Sequence, residues 1–158
     1  MNPVEVPSLS NSENEVTRLI LSIFRVSGAL LVAGDRLTSA IGLTSARWQV
    51  LGTVAKSSAP LTVAAIGKYM GLTRQNVRVI VRELQAAGLV RLADNPHHQR
   101  ASLVMLTPKG QRANSSAREL QIPFTELLGQ DLDAARISDC VDLLQTLYAR
   151  LKTPNEDL

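Results

Sequence analysis

The sequence predicts a mainly α-helical chain with a small two- or three-stranded sheet near its centre and long helices at either end. Three observations predict it. Only five of the 158 residues are aromatic (Phe24, Trp48, Tyr69, Phe124 and Tyr148), so the core must rest on Leu, Val, Ile and Ala. Residues 61–106 read as a helix, a tight turn, a second helix and two short strands joined by a polar tip. Both flanks carry apolar residues at helical spacing. A chain of this length fits one domain, or one compact module with helical extensions.

Residues 1–11, with two prolines and several Ser and Asn, read as a flexible arm. Ser12 and Glu15 then form a Ser-x-x-Glu capping pattern ahead of a long first helix over residues 13–39. Its stripe includes Val16 and Ile20 and is broader than one short neighbour requires, which points to burial against a second chain. Gly42 ends it. Thr44 caps a helix over residues 45–56, with Trp48, Val50, Leu51 and Val54 as its buried face. Thr62 caps a short helix over residues 63–69, and Gly71 suits a left-handed turn before the cap at Thr73.

The helix over residues 74–87 has two faces. Val77, Ile80, Val81 and Leu84 point inward at helical spacing, while Arg74, Gln75, Arg78 and Arg82 share the opposite side. Gly88 closes it as the first residue past the helix. Strands follow at 89–93 and 101–106, around a tip of turn residues from Asp94 to Arg100. Helix, turn, helix and hairpin in that order form a winged helix-turn-helix, whose second helix lies in the DNA major groove.

Charge supports this. Residues 1–44 carry three Arg against four acidic residues, a balance of −1. Residues 45–112 carry ten Lys and Arg against only Glu83 and Asp94, a balance of +8, and residues 113–158 come to −4. Basic charge gathered on one module is the footprint of a polyanion binder. Arg pairs bidentately with guanine and Gln with adenine, and either can hold phosphate. The candidate reading residues are therefore Thr73, Arg74, Gln75, Asn76, Arg78 and Arg82. In the wing they are His97, His98, Gln99 and Arg100, with Arg100 placed to enter a minor groove. Adjacent hairpin residues point in opposite directions and no Cys joins them, so Asp94, His97 and His98 are not expected to hold metal.

After the wing, Thr107 as N-cap and Pro108 at the first position launch a helix to about residue 128, which Pro123 should kink or break. Asp131 is expected to open the last helix. There Ile137, Val141, Leu144, Tyr148 and Leu151 recur at offsets of 0, 4, 7, 11 and 14, a seam for packing against another helix, most simply between subunits. Cys140, the single cysteine, reads as a packing residue beside that seam rather than a redox switch.

Other classes are set aside. The chain has no Gly-rich phosphate loop, no Gly-x-Ser-x-Gly and no His-Glu-x-x-His, so no enzyme and no cofactor is expected. The first ten residues lack the basic and apolar regions of a secretory signal. The apolar stretch 19–33 is interrupted by Arg25 and looks too short to span a bilayer. The expectation is a cytoplasmic, nucleoid-associated protein with no membrane partner.

The run GLVRLADNPHHQRASLVMLTPKG, the helix-turn-helix before it and the enclosing helices resemble the MarR family of bacterial transcriptional regulators over almost the whole chain. Arg100 at the wing exit and Leu106-Thr107-Pro108-Lys109-Gly110 carry most of that resemblance. It implies a homodimer on pseudopalindromic double-stranded DNA, a repressor released by a small aromatic or lipophilic effector. It also implies a pocket where the first, second and fifth helices meet, with Phe24, Arg47 and Trp48 as candidates. Many members place an acidic residue two before the final wing arginine; here His98-Gln99-Arg100 departs from that, leaving Asp94 as the acidic residue of the tip. The domain order expected is arm 1–11, dimerisation helix 12–43, DNA-binding domain 44–107, C-terminal dimerisation helices 108–152 and tail 153–158. The alternative is a winged-helix module that uses its basic face on an acidic protein or RNA without operator specificity.

Overall fold

The structure is a computed structural model and describes residues 11–96, 98 and 100–152. Residues 1–10 of the expected arm, the tail 153–158 and the wing residues His97 and Gln99 lie outside the described residues, and Asn11, expected to end the arm, is helical. Backbone contacts divide the chain into two compact units, Met1–Gln121 and Ile122–Leu158.

The first unit opens with α1 (Asn11–Thr38), which runs into a 3-10 turn (Ser39–Ile41) and stops at Gly42 with φ of 69°. Ser12 lies inside α1 rather than ahead of it, and Glu15 pairs with Arg18 at 3.0 Å, so the expected capping box does not open this helix. As one helix and turn, Asn11–Ile41 is long and apolar enough to cross a membrane by length and composition, which corrects the shorter estimate from the apolar run alone. Its last turns dock on α2 (Ser45–Lys56) instead. Gly34 and Thr38 are buried there, and the Asp35 carboxylate accepts the Ser45 N–H at 2.6 Å.

The core lies among α2, α3 (Val63–Met70), α4 (Arg74–Ala86) and the strands. Val50, Leu51, Ile66, Val77, Leu84 and Val104 are fully buried. Each such side chain contributes about 1.5–3 kcal/mol on leaving water. Two of them belong to α4, so the helix that carries the basic face is anchored by its opposite side. Thr44, Thr62 and Thr73 cap their helices as expected, their hydroxyls accepting from Arg47, Ala65 and Asn76 N–H.

The sheet is three-stranded and antiparallel, in the order β1-β3-β2. β2 (Val90–Ala93) and β3 (Leu103–Leu106) are the hairpin, with Leu92 opposite Val104. β1 (Leu61–Thr62) is the addition, pairing Leu61 with Val104. It fastens the start of α3 to the root of the wing.

Thr107 Oγ1 accepts the Gly110 N–H at 3.0 Å and Pro108 begins α5 (Pro108–Gly129). The helix continues through Pro123 without the expected break. A proline removes one donor from the helical ladder, and because Pro123 is exposed the orphaned carbonyl can turn to water. In the second unit Asp133, not Asp131, caps α6 (Ala134–Lys152), its carboxylate accepting the Arg136 N–H at 3.0 Å. Asp131 has φ of 59° and so stands outside any helix. Cys140 is exposed on α6, so within a single chain it is not the packing residue expected.

Candidate nucleic-acid interface

The turn between α3 and α4 sets the site. Gly71 takes φ of 69°, the Leu72 N–H donates to Gly67 C=O at 2.9 Å, and Thr73 starts α4 three residues after Met70. Helix α4 then turns Val77, Val81 and Leu84 into the core, which leaves Arg74, Gln75, Asn76, Arg78 and Arg82 exposed. Thr73 Oγ1 receives the Asn76 N–H at 3.2 Å, so its hydroxyl proton stays available for a phosphate oxygen.

The wing closes the other side. Its tip is held by Asn95, whose amide donates to Ala101 C=O at 3.0 Å. Two backbone bonds reinforce this, His98 N–H to Asn95 C=O and Ala101 N–H to His98 C=O. Asp94 makes no ion pair with Arg100 among the described residues. The Asn95 side chain thus spans the tip as a donor, a contact that a carboxylate at that position could not make. The sequence marks Asn95 only as one of the turn residues of the tip.

Between these elements runs a cleft of about 270 Å³. Arg74, Arg78 and Arg82 from α4 line it together with Arg100 of the wing, Thr62 at the start of α3, and Ser102. No carboxylate among the described residues lines it. None of the four arginines has an ion pair among the described residues. Four unneutralised guanidinium groups around one cleft favour an anionic occupant, and two faces at an angle suit a duplex backbone. The chain's own geometry thus joins Arg74, Arg78 and Arg82 to Arg100, while Thr73, Gln75 and Asn76 stand outside the cleft lining.

The candidate effector residues are separated rather than joined. A second cleft, of about 900 Å³, lies where α2, α3 and α5 meet. Trp48 lines it, with Lys56, Tyr69, Asn114, Arg118 and Gln121 among the others. Phe24 is 72% exposed on α1 and is not in that lining. Arg47 is also outside it: its Nε donates to Glu83 Oε2 at 3.0 Å. Among the described residues the lining holds two cations and two aromatic rings and no carboxylate, which suits an anionic aromatic molecule. The polar members on α5 carry no sequence motif, so only the fold brings them to Trp48.

The candidate dimer residues are exposed in the single chain: Val16 and Ile20 on α1, and Ile137, Val141, Leu144, Tyr148 and Leu151 on α6. No residue of α6 is buried. Each helix presents an apolar face that this chain alone leaves in water.

The sequence profile of the MarR family matches residues 41–101, from the turn after α1 to the wing. An uncharacterized protein of Mycobacterium bovis is 32% identical over 139 residues, covering 88% of this chain and 96% of that protein. The transcriptional activatory protein BadR of Rhodopseudomonas palustris is 26% identical over 95 residues, 59% of this chain and 54% of its own length. Among solved structures, CouR of Rhodococcus jostii RHA1 bound to p-coumaroyl-CoA superposes with a TM-score of 0.72 at 21% identity, covering 82% of this chain and 90% of CouR.

Proposed function

The chain belongs to the MarR family, and from that premise we propose that it is a sequence-specific regulator that reads pseudopalindromic operators as a homodimer. The observation that carries this reading is the carboxylate-free cleft in which Arg74, Arg78 and Arg82 meet Arg100. On this reading α4 enters the major groove, with Gln75 and Arg78 toward base edges near its N-terminal end. Arg82 holds backbone phosphate, and Arg100 reaches the flanking minor groove. The apolar faces of α1 and α6 are closed by a second copy, which gives the two recognition helices a fixed spacing.

The protein acts as a repressor by occupying its operator, in the cytoplasm and on the nucleoid. An effector in the cleft beside Trp48 releases it by binding better to a conformer whose recognition helices are misspaced. Support for the effector comes from the cationic and aromatic lining of that cleft and from CouR, which holds p-coumaroyl-CoA. BadR is named an activator, so the sign of regulation follows from where the operator lies relative to the promoter.

Selection of bound duplexes from a random pool tests the function. The expected product is an inverted repeat whose half-sites lie one helical turn, about 10 base pairs, or a multiple apart. A pool that stays random after repeated selection contradicts operator reading and favours a general acidic or RNA partner for the basic face.

A further inference from the structure

Two basic side chains of residues 45–112, Arg47 and Lys109, are aimed at the last turns of α4. Arg47 on α2 donates its Nε to Glu83 Oε2 at 3.0 Å. Glu83 is the sole carboxylate of α4. The pair is partly shielded, with the Arg47 side chain 29% exposed and that of Glu83 46% exposed. From the other side, Lys109 in the first turn of α5 donates its Nζ to Ala87 C=O at 2.8 Å. Thr107 adds its hydroxyl to Gly88 C=O at 2.7 Å and its N–H to Leu89 C=O at 3.0 Å. The Ala87 carbonyl, at the C-cap, is among those a helix end leaves without partners, and a cation there also meets the negative end of the helix dipole.

The approach of α5 is close enough that a Cβ on Gly110 would collide with the Leu89 carbonyl oxygen. The core holds α4 along its inner face at Val77, Val81 and Leu84, and α2 and α5 add polar contacts at its C-terminal end. A 13-residue helix is roughly 20 Å long, so a tilt of about 10° about that end moves the N-terminal end by roughly 3 Å. Bidentate base contacts do not survive such a displacement.

We infer that Arg47 and Lys109 are positioning residues for sequence reading: they set the angle of α4 through Glu83 and the Ala87 carbonyl and do not themselves neutralise phosphate. This rests on the operator-reading function proposed above. It also separates these two cations from Arg82, the phosphate contact of the cleft, by a measurable property. A side chain that neutralises a phosphate releases counterions, so its loss from both subunits of the dimer lowers the salt slope of log K by about 1.8, about 0.9 per copy, and weakens all sequences alike. Loss of a positioning residue leaves the slope unchanged and removes the preference for the operator.

The test uses the full chain, the duplex selected from the random pool and a scrambled duplex of equal length, with Kd measured by fluorescence anisotropy from about 50 to 200 mM salt. Arg47→Met and Lys109→Met are expected to weaken operator binding roughly threefold to tenfold, with scrambled DNA changed by less than about twofold and the slope unchanged. Lys109→Arg retains the cation and is expected to restore operator binding. Glu83→Gln removes a negative charge from the DNA-facing helix, so an electrostatic role alone predicts tighter binding to both duplexes. Positioning predicts a lower operator preference, restored by the exchange Arg47→Glu with Glu83→Arg. Thermal unfolding of each variant confirms that the folded form is compared.

A drop in slope with equal losses on both duplexes makes Arg47 and Lys109 phosphate contacts and overturns the inference while leaving operator reading intact. Unchanged operator preference in the Met variants overturns it equally. Failure of the selection itself removes the function on which it rests.

Discussion

Gln75 and Arg78 are separated from Arg82 and Arg100 by what each is placed to touch. Gln75 and Arg78 stand near the N-terminal end of α4, while Arg82 is a further turn along beside Arg100 in the cleft. Gln75→Ala or Arg78→Ala is expected to cost about 1–3 kcal/mol on the operator and to relax preference at one base position, read by competition against single-base variants of the duplex. Two residues also matter for folding, Thr73 beside its candidate phosphate contact and Gly110 at the α4–α5 junction. Thr73→Ala removes the cap of α4 and is expected to lower stability by about 1 kcal/mol in chemical denaturation. Gly110→Ala forces a methyl group into the Leu89 carbonyl and is expected to cost about 1–3 kcal/mol, with the damage centred on the α4–α5 junction in hydrogen exchange.

Local rules made the central elements legible and non-local contacts made the rest opaque. Thr62, Gly71, Thr73 and Gly88 each act within four residues of their own position, and the helices they bound fall where residue type alone puts them. β1 is two residues long and exists only because β3 lies beside it some 40 positions later, so no window of sequence contains it. Asp131 and Asp133 are equally good caps on paper; the left-handed backbone at Asp131 decides between them. Pro123 shows a propensity rule yielding to context, since one missing bond on an exposed surface does not stop a 22-residue helix. Within the candidate site the basic face of α4 was legible from periodicity. The ion pair of Arg47 with Glu83, 36 residues away, was not, nor was the joining of Trp48 to Asn114 and Arg118. Filling the Trp48 cleft gives a direct reading of that element. Titration with aromatic carboxylic acids is expected to change Trp48 fluorescence and to release operator DNA over the same concentration range. Changes in neither signal would remove the effector from the account.

The molecule as a whole carries its charge in the middle and its unpartnered apolar surface at the two ends of the chain. Residues 45–112 hold the +8 balance, while α1 and α6 supply most of the exposed leucine, isoleucine and valine side chains. Burying such faces at about 25 cal/mol per Å² of apolar surface favours association, and a two-fold pair matches the symmetry of an inverted repeat. Removal of residues 131–158 is therefore expected to leave a poorly folded or monomeric protein with weak DNA binding. Light scattering coupled to size exclusion distinguishes this from a compact monomer that still binds, which would show that α6 is not a dimer element.

The central claim is that this chain reads sequence rather than charge. Its most direct test is competition at physiological salt between the selected duplex and bulk random DNA, with the full chain at concentrations below its operator Kd. The account predicts a preference of at least ~10³ for the selected duplex, lost when Gln75 and Arg78 are both replaced by Ala. A preference below about tenfold in the unaltered protein would contradict it.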